Sequence, residues 1–109
     1  MKTVGICGNT SRGNYDSFVE SARMIYKVHD FADGVGVSTM EDLRDCTTLF
    51  VFGKEKELSE ETWDIISWAY INGVVIVPVY NITETRIRFH AIKFLRTFAN
   101  ALEKYMLVN

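Results

Sequence analysis

Thr47-Thr48-Leu49-Phe50-Val51-Phe52 (TTLFVF) is the stretch on which the fold turns. A strand with one wet face alternates apolar and polar residues. Here apolar side chains fall at both parities from Leu49 onward, the mark of a strand covered on both faces in a parallel sheet. Val74–Val79 (VVIVPV) reads as a final buried strand of the same kind, and Thr3–Cys7 (TVGIC) is a shorter first one, ending in the turn residues Gly8, Asn9 and Thr10. Pro78, the only proline, removes a backbone donor, so its strand is expected at a sheet edge or bulged there.

Helical patterns lie between and beyond these strands. Asp16 or Ser17 is expected to cap a helix with Phe18, Val19, Ala22, Met24, Ile25 and Val28 on its apolar side. Asp30–Val37 (DFADGVGV) reads either as a short strand or as a glycine turn. Ser38 or Thr39 opens a brief helix through Met40, Leu43 and Arg44. After the charged loop Lys54–Leu58, Ser59 caps a helix through Ile65, Ile66, Trp68, Ala69 and Tyr70, which Asn72-Gly73 ends. Trp63 and Trp68 are five apart and face different ways: Trp68 is expected in the core, Trp63 on a pocket or subunit contact. Thr85–Met106 predicts a long helix with two adjoining apolar stripes, one through Ile87, Phe94 and Leu102, the other through Phe89, Leu95 and Met106. That width suits either deep burial or a dimer contact.

Strands alternating with helices give an α/β class: an open parallel sheet of about four to five strands, helices on both faces, three layers in all. In such sheets ligands bind beyond the carboxyl ends of the strands, where strand order reverses. The loops that matter are therefore Gly8–Tyr15, Gly34–Met40, Gly53–Glu61 and Tyr80–Arg88.

Composition bounds the function. The 109 residues allow one domain, 1–109, and 48% hydrophobic with 13% aromatic residues supply its core. A net charge of −2 argues against a general nucleic-acid binder. No run approaches the roughly 18 apolar residues of a membrane span, and MKTVGICG is too short for a signal peptide's apolar core, so a cytoplasmic location is expected. Cys7 and Cys46 fit no ligand spacing and read as small buried hydrophobes suited to a reducing compartment. His29 and His90 lack ligand spacing, and no metal is expected.

The first loop, Gly8-Asn9-Thr10-Ser11-Arg12-Gly13-Asn14, runs from a strand into a helix and combines small residues, hydroxyls, amides and one Arg. Backbone N–H groups at a helix start attract anions. The same glycines and asparagines also suit a plain strand-to-helix turn. Arg86 and Arg88 follow the last strand and, with Arg12, read either as phosphate grips or as a solvated surface.

Two blocks carry a family resemblance. CGNTSRGNYDSFVESARMI (7–25) resembles the amino-terminal segment of the LOG ("lysine decarboxylase-like") phosphoribohydrolases of the SLOG group of Rossmann-like nucleotide binders, through Cys7, Gly8, Gly13, Asn14, Phe18, Glu20, Ala22 and Arg23. Downstream, GKEKELSEE (53–61) stands where the family has PGGxGTxxE, and WDIISWA (63–69) is similar to its following helix. There Glu61 takes the place of the motif glutamate, and Ile66, Trp68 and Ala69 match. The resemblance covers nearly half of the chain. It implies a Rossmann-like sheet, a nucleotide or nucleoside-phosphate ligand and a homodimer. It also implies N-glycosidase chemistry in which Glu61 works on the ribose while water attacks the anomeric carbon, with no bound cofactor. The pattern is degenerate here: Lys54, Glu55, Lys56 and Glu57 replace the motif's glycines, Gly53 alone remains, and the family's catalytic arginine has no counterpart in register.

Glu61 therefore has two readings, a catalytic carboxylate or a first-turn acid beside a Ser59 cap. The expected ligand-binding set is Gly8, Asn9, Thr10, Ser11, Arg12, Gly13, Gly53, Ser59, Arg86 and Arg88. An inactive interaction protein on the same scaffold, acting through KEKE and the last helix, is a second reading. A flavodoxin-like FMN protein, suggested by Gly8-Asn9-Thr10 after the first strand, is a third.

Overall fold

The computed structural model describes residues 2–11, 14–32, 39–53 and 55–79. In chain order they form β1 (Thr3–Gly8), α1 (Tyr15–Arg23), β2 (Lys27–Asp30), α2 (Thr39–Asp45), β3 (Thr48–Phe52), one 3-10 turn (Glu55–Glu57), α3 (Glu60–Ile71) and β4 (Val75–Val79). All four strands pair in parallel, in the order β2-β1-β3-β4. This is an open, Rossmann-like α/β sheet.

The chain steps from β1 out to β2, crosses back over β1 to β3, and continues to β4. Right-handed crossovers place α1 on one face and α2 with α3 on the other. Successive strand residues serve opposite faces. Ile6 and Phe52 pack with Tyr15, Val19 and Ala22 of α1. Their neighbours Cys7 and Val51 pack with Leu43 of α2 and Ile65 and Ile66 of α3. The TTLFVF strand is interior, with its Leu49, Val51 and Phe52 buried. Three edge-on ring contacts fasten α1 across β1 to β3: Tyr15–Phe52 at 5.0 Å, and Phe18 with both Phe50 and Phe52 at 5.1 Å. Such pairs each add about 0.5–1.5 kcal/mol beyond the area they bury.

Several expectations need correction. The first helix begins at Tyr15, with Asn14 rather than Asp16 or Ser17 at its N-cap, and it stops at Arg23. The Met24 and Tyr26 N–H groups fold back onto the Ser21 and Ala22 carbonyls, leaving Met24 83% and Ile25 64% exposed. Val28 belongs to β2, which starts three residues before the DFADGVGV segment, where a short strand or a glycine turn is expected. Trp63 is the tryptophan in the core and Trp68 is only partly buried. Helical spacing explains this: Thr62, Ile65, Ile66 and Ala69 line the buried face of α3, and Trp63 sits one turn before Ile66 on the same side.

β4 is less buried than its apolar run suggests, and Val75 is exposed. Its Val75 N–H donates to Thr47 O. The period of two then puts the position of Pro78 where an N–H would face away from β3. The missing donor costs the ladder nothing at this edge of the described sheet.

Both cysteines are free and buried. Burial first, then the nearby Asp45 and Asp42 charges, pushes the Cys46 thiol up to about 11, and burial with Asp30 raises Cys7 further. Neither is a reactive thiolate. Among the described residues no helix is long and apolar enough to cross a membrane. The glycine-rich 33–38 stretch, the Thr85–Met106 helix and its dimer contact lie outside the described residues.

Candidate functional site

Strand order reverses at β1: the chain leaves it towards β2, and the next crossover lands on its other side at β3. The crevice beyond the carboxyl ends of β1 and β3 is the topological switch point, where open α/β sheets hold their ligands.

Two loops meet there. β1 ends in Gly8, whose φ is +117°, and a Cβ added there would sit 2.2 Å from the Phe52 carbonyl oxygen. Gly8 is thus required by the approach of β1's end to β3. One residue on, the Asn9 N–H donates to Phe52 O at 2.9 Å. The Asn9 amide is used at both ends: its Oδ1 accepts from the Ser11 N–H at 3.0 Å, and its Nδ2 donates to Glu57 Oε2 at 3.3 Å. Gly53 completes the junction, because a Cβ there would meet Glu57 Oε2 at 2.9 Å and the Asn9 Cβ at 3.2 Å. The structure therefore brings Gly8, Asn9 and Gly53 together. Thr10 and Ser11 lie exposed beside them. Arg12, Gly13, Arg86 and Arg88 lie outside the described residues.

The two helix starts nearest the crevice differ. At α3, Ser59 Oγ accepts from the Thr62 N–H at 3.2 Å and shares a hydrogen bond with Thr62 Oγ1. Glu60 and Glu61 fill its first turn, both exposed, so side chains of the chain itself already answer the positive end of this helix. Ser59 is engaged as a cap, and Glu61 sits where a first-turn acid sits. At α1, Asn14 makes no side-chain capping bond; its carbonyl accepts from Phe18 at 3.0 Å, and Asp16 is the one acid in the first turn. Among the described residues, no cap side chain bonds the N–H groups opening α1.

Sequence reasoning missed two polar groups. Glu57 belongs to the charged stretch 54–58, yet it reaches the crevice through Asn9. Asp30, at the carboxyl end of β2, accepts from the Tyr15 hydroxyl at 2.7 Å and from the Ala32 N–H at 3.0 Å. Burial and then this bond to Asp30 raise the Tyr15 phenol well above its ordinary value, so it stays a donor. An acid some 20 residues after a strand-end glycine was the available signal.

A cleft of about 490 Å³ at the opposite end of the sheet is lined by Arg44, Cys46, Thr47, Trp68, Asn72 and Val74, among others. Its polar groups are largely committed. Asn72 Nδ2 donates to Trp68 O at 2.8 Å, the Thr47 hydroxyl to Thr3 O, and the Cys46 thiol to Asp42 O.

In comparisons with known proteins, no family model, curated protein or solved structure matches this chain.

Proposed function

We propose that the chain is a nucleotide- or nucleoside-phosphate-binding domain, with the phosphate seated on the first turn of α1 beyond the carboxyl ends of β1 and β3. One observation carries the reading: at the switch point, the loop leaving β1 runs into a helix whose N-cap side chain makes no bond to the first N–H groups. The resemblance of residues 7–25 to a nucleotide-binding family supports the same place. Glu57 and the first-turn acids of α3 make the β3 side acidic, which suits sugar hydroxyls or base N–H groups better than a phosphate. Hydrolysis of the N-glycosidic bond, with Glu61 acting on the ribose, is the activity that the resemblance adds to binding.

The test is thermal unfolding against nucleoside mono-, di- and triphosphates and cyclic nucleotides, with released base followed by chromatography. A ligand at a hundredfold its Kd adds about 2.7 kcal/mol to folding stability. Thr10→Glu, an exposed substitution in the loop, should weaken the best nucleotide at least roughly tenfold by like-charge repulsion. Base release that disappears in Glu61→Gln assigns the hydrolysis. No shift with any nucleotide rejects the reading.

Strand order favours one second reading. The order 2-1-3-4 is that of flavodoxin-like sheets, which hold FMN at the β1/β3 switch. It is equally the dinucleotide-fold order 3-2-1-4-5 with its third strand removed, as expected of a contracted relative. FMN added to the same screen decides between them: a yellow, stabilised protein selects the flavin.

A further inference from the structure

The amino edge of the sheet has a surface chemistry unlike the rest of this net-acidic chain. Backbone hydrogen bonds align the strand starts along it: Lys27 N–H to Lys2 O at 3.0 Å, Thr47 N–H to Thr3 O at 3.0 Å, and Val75 N–H to Thr47 O at 3.1 Å. At a strand spacing of about 4.8 Å, the row from β2 to β4 is about 14 Å wide. Crossover helices run back against their strands, so α1, α2 and α3 all end at this edge. All the exposed large apolar side chains among the described residues stand there: Met24 and Ile25 after α1, Tyr70 and Ile71 ending α3, and Val75 opening β4. Exposed bases gather with them: Lys2, Arg23, Lys27 and Arg44, against the single acid Asp45, with Glu20 nearly a turn further back on α1. The carboxyl edge is the converse. Asp16, Asp30, Glu57, Glu60 and Glu61 are exposed there with Lys56 as the one described base, and no large apolar side chain is exposed among the described residues.

A partner for the amino edge must supply negative charge and take up apolar side chains. A second copy fits neither way round. Amino edge against amino edge sets four bases against four, and the carboxyl edge offers charge without an exposed apolar side chain among the described residues. Shape decides the rest. Met24 and Ile25 stand in one outer layer and Tyr70 and Ile71 in the other, with the sheet and its lysines between them. The cleft at this edge is lined by none of the four. A broad surface meets them all at once, and an anionic lipid surface has the chemistry, with headgroup charge for the bases and an acyl boundary for the apolar tips. We infer that the amino edge is a docking face for an anionic membrane surface, with Lys2, Arg23, Lys27 and Arg44 on the headgroups and the apolar tips from α1 and α3 at the acyl boundary. The crevice beyond β1 and β3 then faces away from the lipid, at the opposite edge, and stays open to a ligand.

The experiment is sedimentation of the full chain with vesicles of phosphatidylcholine alone, and of phosphatidylcholine with phosphatidylserine in equal parts. The chain should pellet with the mixed vesicles and not with the neutral ones, and rising salt should release it. Lys2→Gln with Lys27→Gln should weaken this binding roughly twentyfold or more, at about fivefold per charge. Met24→Asn with Ile71→Asn, both at exposed positions, should weaken it at least roughly tenfold. Because Cys7 and Cys46 are buried, an environment-sensitive dye can be attached at Ile71→Cys or, at the carboxyl edge, at Ser17→Cys. On the mixed vesicles its emission should move to the blue from position 71 and not from position 17. No pelleting with the mixed vesicles, equal pelleting with the neutral ones, or binding that survives both double variants overturns the docking face. A dye at position 71 that is already blue without lipid means that the chain itself covers this edge, and overturns it too. So does lipid-free self-association that Met24→Asn with Ile71→Asn abolishes, which assigns the edge to a second copy.

Discussion

The carboxyl and amino edges of the sheet use the same residue for different ends. At the carboxyl edge Gly8 has φ +117° and lies so close to β3 that a Cβ would stand 2.2 Å from Phe52 O and 2.6 Å from Phe52 N. At the amino edge Gly73 has φ +75° between α3 and β4, and an added Cβ would find nothing within 4 Å. One glycine lets two backbones touch; the other only lets a chain turn. For function the first fact matters more. The bareness of Gly8, readable as room for a phosphate, is taken up by the protein's own strand. On the nucleotide reading proposed above, a phosphate at this edge is held further along the chain, at the start of α1.

The sharpest way to break the comparison is Gly8→Ala. The clash is with backbone atoms of a central strand, which have no rotamer to escape into, and φ is unfavourable as well. Losses above about 4 kcal/mol need a named cause of this kind, and such a loss is expected here. Against a total of about 5–15 kcal/mol for a typical domain, it should leave the chain unfolded or nearly so in urea titration. A variant within about 1 kcal/mol of the parent would mean that β1 and β3 do not meet so closely. Gly5→Ala should fall in between. Its Cβ would meet Phe31 Cε2 at 2.8 Å, Leu49 Cδ1 at 3.0 Å and Cys46 Sγ at 3.3 Å, all side-chain atoms that can shift. Overpacking of this kind costs about 1–3 kcal/mol. Adding Phe31→Leu to Gly5→Ala should recover part of the loss, and strict additivity of the two would show that Phe31 is not the obstacle.

These contrasts also show what the sequence could convey. TTLFVF, the Ser59 cap and the Asn72-Gly73 stop were legible because local chemistry decides them: apolar side chains on both parities, a hydroxyl that accepts from Thr62, and a residue that takes positive φ. The end of α1 was not. Met24 and Ile25 continue an apolar helical pattern, and nothing local says that the chain turns there to reach β2 with both left in water. β2 itself reads Lys-Val-His-Asp, a strand at the edge of the described sheet with a single aliphatic residue, so it carries no strand signal of its own. At the site, the glycines and Asn9 stood out by type. Their partners did not, because Glu57 and Asp30 are 48 and 15 residues from the groups they bind, and pattern along the chain does not reveal such pairs.

The smallest effect is expected at the amino edge, and it tests whether space or backbone conformation sets the value of a glycine. At Gly73 there is room for any side chain, so a substitution meets only the penalty of φ +75°. For Ala the left-handed region costs about 1 kcal/mol. Asn, whose short amide bonds locally in that region, should cost only a few tenths of a kcal/mol. The order Gly, then Asn, then Ala in urea midpoints, with unchanged slopes, is the expected result. A reversed order, or an Ala loss near that of Gly8→Ala, would mean that Gly73 is packed against something. The distinction between a glycine that turns and a glycine that lets strands meet would then fail at the edge where it is drawn most cleanly.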